Sequence, residues 1–273
     1  MLQSLRQISV FSECNMSFLN ITKQGPITRV RLNRAEVRNA FNAELIRELK
    51  IQFDALKKEK STRVVILSGE GECFSAGADL NWMKSMAGAS RKANEADAQK
   101  LSDLLETLDR FPKPLIGSIH GAAIGGGVGL VSVCDIVVAS EETVFSLAEV
   151  KLGLIPAVIS PYVIAKIGAH QARRYFLTGE RFRAEEARRI GLVHEVVPLA
   201  ELETHVDKMA RDLLSSGPAA VDAAKALIRK VAGSPSMVVQ SYTVKKIASL
   251  RTSDEGQEGM KAFLEKRKPS WNV

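Results

Sequence analysis

Ser118-Ile-His-Gly-Ala-Ala-Ile-Gly-Gly-Gly-Val-Gly-Leu-Val-Ser-Val-Cys-Asp135 carries Gly121, Gly125, Gly126, Gly127 and Gly129 between the apolar runs 115–119 and 130–133. The pattern reads as a strand feeding a tight turn, which opens a helix. Glycine there allows positive φ and lets backbone N–H groups approach a partner with no Cβ in the way. The first turn of a helix leaves N–H groups unpaired at the positive end of its dipole, so a group that is or becomes anionic fits there. A dinucleotide fingerprint starting at Gly125-x-Gly127 would need glycine at Leu130, and no Gly-Lys-Ser/Thr follows for a phosphate loop. Close helix-on-strand packing is an equal alternative for so much glycine.

At 273 residues and 45% hydrophobic, the chain can bury the core of one large domain, or of one domain with an appendage. No apolar run approaches bilayer length, so a soluble protein without membrane contact is expected. Residues 1–16 are too short and polar for a secretory signal, and Glu13 argues against a transit peptide. Met16 is an alternative start, which would leave 1–15 as an ill-ordered extension, and 1–16 are set apart from the domain as an N-terminal extension. Cys14, Cys73 and Cys134, with His120, His170, His194 and His205, show no zinc-like spacing, so no metal and a reducing cytoplasm are expected. The net charge of +7 attracts anions at a distance. Apart from Lys266-Arg267-Lys268 the cations are scattered, and aromatics are only 5%, so nucleic acid is the weaker choice of partner.

Residues 28–32 alternate polar and apolar, a strand with one wet face, whereas 63–67 are continuously apolar, a strand covered on both faces. Asn42 is a candidate N-cap for a helix with the stripe Ile46, Leu49, Phe53 and Leu56. Ser75, Ala76, Gly77 and Ala78 leave the backbone bare, and Asp79 reads as a helix cap before a chemical group. A helix through Leu101, Leu104, Leu105 and Leu108 ends at Phe111-Pro112. Strands are expected at 135–139 and 144–145, giving an α/β fold with parallel pairing and both small-residue turns at the carboxyl ends of strands, where ligands bind. Glu149 stands among Leu147, Val150, Leu152, Leu154 and Ile155. Burial there would raise its pKa and suit it to proton exchange, with a surface glutamate on a turn as the plain alternative. Ser160-Pro161 starts a helix that Gly168 ends. From Pro198 the pattern is helical, broken at Gly217-Pro218 and at 233–235, with Thr252-x-x-Glu255 as a capping box.

Cys73-Phe-Ser-Ala-Gly-Ala-Asp79, His120-Gly-Ala-Ala-Ile-Gly-Gly-Gly127, Cys134-Asp135, Glu149-Val-Lys-Leu-Gly-Leu-Ile-Pro156 and Glu258-Gly-Met-Lys-Ala-Phe-Leu-Glu-Lys-Arg267 together resemble the enoyl-CoA hydratase/isomerase (crotonase) family. The likeness runs from about Ser17 onward, in order and spacing. It implies a crotonase spiral of ββα repeats over 17–197, holding the active site, and a helical region at 198–273 that builds homotrimers and homohexamers. It implies an acyl-CoA substrate, with no cofactor beyond the coenzyme A moiety. Backbone N–H groups of Ala78 and Gly126 would hold the thioester oxygen as it becomes an enolate, and one such donor is worth about 10²–10³ in rate. Glu149 would be the acid/base. Ala76 and Ala78 would lie near the adenine, Lys266 near the phosphates and Phe263 by the acyl pocket. Arg38 is a further candidate for the phosphates.

Many hydratases of the family carry a second glutamate three residues after the oxyanion glycine, where this chain has Gly129. With one carboxylate, water must be held by backbone or by another group. Isomerases of the family also work with a single glutamate, so an isomerase is the first alternative. A basic RNA-binding or inactive homologue is the alternative from another class. Ala78-Asp-Leu-Asn-Trp-Met-Lys84 and Ile155-Pro-Ala-Val-Ile-Ser-Pro161 resemble the branch acting on 3-methylglutaconyl-CoA or γ-carboxygeranoyl-CoA, in leucine and acyclic-terpene breakdown. They point to hydration of a branched, carboxylated enoyl-CoA. Lys84 is one candidate cation for that carboxylate, with an exposed helix lysine as the plain alternative.

Overall fold

The computed structural model describes residues 18–272. The expected extension 1–16 lies outside the described residues, as does Cys14. In order come β1 (Leu19–Gln24), β2 (Ile27–Leu32), α1 (Ala43–Lys58), β3 (Val64–Gly69), α2 (Leu80–Ala87), α3 (Arg91–Asp109), β4 (Leu115–Ile119), β5 (Ala122–Ile124) and α4 (Gly126–Val133). Then follow β6 (Ile136–Ser140), β7 (Val144–Ser146), α5 (Ser160–Thr178), β8 (Arg181–Arg183), α6 (Ala184–Arg189) and β9 (Glu195–Val197). The chain closes with α7 (Leu199–Leu213), α8 (Pro218–Val231), α9 (Ser236–Arg251) and α10 (Asp254–Leu264).

A single parallel sheet, the plain reading of the residue pattern, is not what forms. The large sheet runs β1-β2-β3-β4-β6-β9, parallel except for the β1–β2 hairpin, and β5-β7-β8 make a second sheet. Strands β4 and β6 each leave the large sheet and continue directly into the small one as β5 and β7. The chain after β3 does the same at Ser75, which bridges Ala123. Each passage is displaced by one strand and followed by helix, and this displacement is the ββα spiral. The strand-turn-helix expected over 118–135 therefore contains an extra strand, β5. Three residues are too few to show a period in sequence.

Apolar side chains on one face of the large sheet, including Val30, Val65, Leu67 and Ile119, pack with α1, α3, α4 and α5 in the main core. On the other face Ile27, Val64, Ile66, Ile116 and Val138 meet Leu202, Val206 and Ala210 of α7. The continuous apolar run of β3 thus serves both faces, as its composition requires. The face of β2 expected to be wet is covered as well: Arg29 pairs with Asp207 at 2.5 Å and Arg31 with Glu203 at 3.1 Å, both acids on α7. Gly168, at φ +70°, breaks α5 where the sequence placed a helix end.

Thr252 and Glu255 do not form a capping box. Ser253 is the N-cap of α10, accepting from the Gly256 N–H at 3.1 Å. Glu255 reaches instead to α8, where its oxygens accept from the Ala219 and Ala220 N–H groups at 2.9 and 2.8 Å. Gly217, the N-cap of α8, has no side chain to do this, and a Cβ there would stand 2.4 Å from Glu255 Oε1. Glu255→Ala is expected to lower stability by about 1 kcal/mol, the scale of a lost helix cap. Urea unfolding of the two proteins measures this, and Glu255→Gln, which keeps an acceptor, should lose less.

Candidate active site

Three stretches of backbone meet beyond the carboxyl ends of β2, β3 and β4. Phe41 N–H donates to Gly77 O at 2.6 Å and Asp79 N–H donates to Phe41 O at 2.8 Å. This parallel bridge skips the N–H of Ala78, which lies between the two bonded residues. On the other side Ser75 N–H donates to Ala122 O at 3.0 Å, and Ile124 N–H donates back to Ser75 O at 3.0 Å. Gly121 makes the crossing possible: it has φ +63°, and a Cβ would fall 2.0 Å from Glu72 O. Gly125, the residue before α4, takes φ +51° and donates to Ser146 O at 2.8 Å. Gly126 is then the first residue of α4, where no intrahelical acceptor exists for its N–H. Among the described residues neither the Ala78 nor the Gly126 N–H has an acceptor.

Those residues open on a cleft of about 200 Å³ lined by Phe41, Ala78, Trp82, Leu101, Gly126, Glu149 and residues 155–159. Glu149 is its one ionisable lining group. A short 3₁₀ turn, Ala148–Leu152, carries it directly after β7, and its carbonyl accepts from the Leu154 N–H at 3.0 Å. A Cβ on Gly125 would sit 3.1 Å from Glu149 Oε1, so the carboxylate lies against the turn that precedes α4. Oε2 is buried without a hydrogen-bond partner. Burial raises the Glu149 pKa above its ordinary value, its own backbone N–H offsets part of this, and no cation opposes the shift. A carboxylate raised in this way by desolvation is better suited to exchanging protons than one in water.

Asp79 caps α2 as expected, accepting from Asn81 N–H at 2.8 Å and Trp82 N–H at 3.3 Å. Gly129 is fully buried in α4, and a Cβ there would meet Ile159 Cγ2 at 2.4 Å and Leu105 Cδ2 at 3.8 Å. The place where a second carboxylate would stand is therefore closed by hydrocarbon. Ala76 spends its N–H on Arg38 O at 2.9 Å, which brings those two candidates side by side, with the Arg38 side chain exposed. Phe263 and Lys266 are not brought to the cleft of the single chain. Phe263 is 83% exposed on α10, and Lys266, at φ +54° just beyond it, carries no ion pair among the described residues. Phe41 was not singled out in the sequence, and Trp82 and Ile159 entered only within the stretches 78–84 and 155–161, because an apolar residue lining a cleft looks the same as one lining a core. A larger open groove of about 640 Å³, lined by His170, Arg173, Arg174 and Arg189, contains none of the expected site residues.

Strands that pass from one sheet to the next, two unpaired N–H groups and a buried acid on one cleft define an enzyme of the crotonase fold. Residues 22–273 match the model of the enoyl-CoA hydratase/isomerase family. The chain belongs to that family and is an enzyme of its hydro-lyase type. It is similar to an enoyl-CoA hydratase from Shewanella pealeana, with 40% identity, TM-score 0.91, and 94% and 97% of the two chains covered. It is 32% identical to the 2,3-dehydroadipyl-CoA hydratase of Escherichia coli K12, covering 94% of this chain and 99% of that one. The crotonyl-CoA hydratase of Syntrophomonas wolfei is also 32% identical, with the same two coverages. No helix of the described residues is long and apolar enough to cross a membrane.

Two expectations follow from Gly129 and Glu149. Gly129→Ala improves helix propensity by about 1 kcal/mol but drives a methyl into Ile159, a clash that costs about 1–3 kcal/mol, so net destabilisation is expected. In an Ile159→Ala background, where only the Cβ of residue 159 remains, 3.1 Å from the added methyl, the same change should cost less, and urea unfolding of the four proteins reads the difference. For Glu149 acting as a base, kcat/KM falls as pH falls through its raised pKa. The acid limb of the profile should thus lie above 4.5, the ordinary glutamate value.

Proposed function

We propose that the protein reversibly adds water across the α,β double bond of an enoyl-CoA, with Glu149 as its single acid/base and the Ala78 and Gly126 N–H groups holding the thioester oxygen. The observation that carries this reading is the convergence of two unpaired N–H donors and one unpartnered carboxylate on one cleft. The Glu149 carboxylate takes a proton from water as the water oxygen bonds to C3. The electron pair of the double bond moves onto the thioester oxygen, which becomes an enolate between the two N–H groups. The Glu149 carboxylic acid then returns its proton to C2, the carbonyl re-forms and the carboxylate is regenerated. Both directions start from the carboxylate, which fixes the sign of the pH dependence. Two donors at about 10²–10³ each outweigh any one side chain in the cleft.

For the acyl group we propose a branched chain. Trp82, Leu101, Pro156, Val158 and Ile159 offer it apolar walls. The free carboxylate suggested by the sequence at 78–84 and 155–161 has no cation among the cleft lining. Lys84, exposed on the adjoining α2, remains its candidate partner. Relatives named for dehydroadipyl and crotonyl groups are equally similar, so likeness of this degree does not choose between charged and uncharged acyl chains. No cofactor beyond coenzyme A is needed for these steps. We assign Ala76 to the adenine and Arg38 to the phosphates, with Lys266 as a further cation. Homotrimers or homohexamers are proposed on the apolar surface left open by Met237, Val238, Phe263 and Leu264. The free, buried thiols of Cys73 and Cys134 suit a reducing cytoplasm.

A single carboxylate against hydrocarbon also favours one second reading, an isomerase in which Glu149 carries a proton from C4 to C2. Incubation with 3-methylglutaconyl-CoA, crotonyl-CoA and a 3-enoyl-CoA, read by mass spectrometry, separates the two. Gain or loss of water is expected, and a shifted double bond at unchanged mass would replace the hydratase reading. Glu149→Gln should abolish turnover and leave CoA binding intact, and an active Glu149→Gln would remove Glu149 from its role.

A further inference from the structure

Arg34 and Asp79 form an ion pair of 2.9 Å whose side chains are 10% and 9% exposed, and no step of the hydration chemistry uses either charge. Replacing a buried pair with apolar side chains is often neutral or stabilising, so stability alone is a poor reason for this one. Its geometry offers a better reason. One Arg34 nitrogen donates to Ala40 O at 2.5 Å, and another donates to Asp79 Oδ2. Ala40 precedes Phe41, and Asp79 follows Ala78. The guanidinium therefore grips both sides of the bridge at the step where the Ala78 N–H is left unpaired. Asp79 Oδ1 meanwhile fixes the start of α2 through the Asn81 and Trp82 N–H groups.

The loop bearing Arg34 is itself held firmly. Asn39, fully buried at φ +54°, accepts from the Arg34 N–H at 2.9 Å and donates to Glu70 O and Cys73 O, both at 2.8 Å. Ser75 Oγ donates to Asn39 O at 2.9 Å. Burial pushes the Asp79 carboxyl up, but Arg34 and the two N–H groups outweigh it and hold the pKa below the ordinary value. The pair is thus charged while the enzyme works.

We propose that Arg34 is a positioning residue, which acts through Asp79 and the Ala40 carbonyl to aim the Ala78 N–H at the substrate's thioester oxygen. This rests on the reading of Ala78 as an oxyanion donor. Lysine cannot replace Arg34, because one ammonium does not reproduce a planar fork spanning two acceptors. A donor misplaced by about 1 Å can cost about 10²-fold in rate.

The test compares Arg34→Met, Arg34→Lys, Asp79→Asn and the double variant Arg34→Met/Asp79→Asn with the unaltered full chain. Asn at 79 keeps an oxygen for α2, and the double variant leaves no buried charge unpaired. Three quantities are read: urea stability, kcat and KM on the best enoyl-CoA of the substrate panel, and the absorption of bound 4-(dimethylamino)cinnamoyl-CoA, whose band moves red as its carbonyl is polarised. The expected result is a kcat lowered about 10²-fold with KM within about threefold, and a smaller red shift in every variant. The double variant should recover stability without recovering kcat. If stability and kcat recover together, or if the variants keep the full red shift, the pair is only structural and the proposal falls. If the unaltered protein polarises the bound carbonyl no more than water does, the oxyanion reading falls and takes the proposal with it. Should Arg34→Met fail to fold, Arg34→Lys and Asp79→Asn carry the same comparisons.

Discussion

Backbone passing close to backbone is the constraint on which the site depends. The segments at 39–41, 75–79 and 121–125 exchange hydrogen bonds directly, and side chains at the crossings would push them apart. A Cβ at Gly121 would fall 2.0 Å from Glu72 O, one at Gly127 would fall 3.0 Å from Ser75 O, and one at Gly77 would fall 3.1 Å from Ile124 O. Each bond contributes only about 1 kcal/mol net. Their larger effect is geometric, because a bridge that satisfies Phe41, Gly77 and Asp79 necessarily leaves the Ala78 N–H out of the ladder. The glycine-rich stretch that opens α4 does the same for Gly126 by placing it where a helix has no acceptor.

The chemistry then needs few side chains. Backbone dipoles fixed by a sheet and a helix do not titrate and do not reorganise as charge develops, which is what stabilisation of an enolate asks of them. Glu149, the group to which the proposed reaction assigns the proton transfer, has the opposite environment: apolar neighbours, no cation and an oxygen without a partner. The proposed reaction would use these two unlike features of the cleft for two tasks, permanent partial charges for the oxyanion and a desolvated acid for the proton. Hydrocarbon at Ile159 and Leu105 leaves Glu149 without a second carboxylate beside it, so no like charge competes for its proton.

What could be read from the sequence follows the range of the interactions involved. The Asn42 cap, the Asp79 cap, the apolar β3, the bounds of β4 and the break at Gly168 are decided within a few residues, and each was legible. The resemblance carried by the quoted motifs supplied the spiral, which local pattern could not. β5 has three residues, and its partner β7 lies in a later turn of the spiral. The Arg34–Asp79 pair spans 45 positions. The carboxylate of Glu255 went to a different helix from the one it belongs to, because α8 opens on a glycine without a cap of its own. The wet face expected of β2 was closed by acids some 170 to 180 positions later, on α7. No window along the chain contains such partners.

Catalysis and substrate fit are joined in the segment between β7 and α5. It begins with Ser146, whose carbonyl holds Gly125, and passes through Glu149 and the cleft wall at 155–158. It ends at Ile159, which blocks Gly129 and precedes α5. A glycine at 153 in the left-handed region turns the chain between acid and wall, its N–H donating to Val150 O at 3.2 Å. Glu149, the 155–159 part of the cleft wall and the Ile159 side chain against Gly129 therefore share fourteen consecutive positions, 146–159, while Trp82, Leu101 and Leu105 complete the wall and the filling from α2 and α3. A change in the shape of the wall at 155–159 is transmitted covalently to the Glu149 carboxylate. Under the proposed function, rate and substrate preference are for that reason expected to vary together, while the Ala78 N–H, held by the bridge to Phe41, stays fixed.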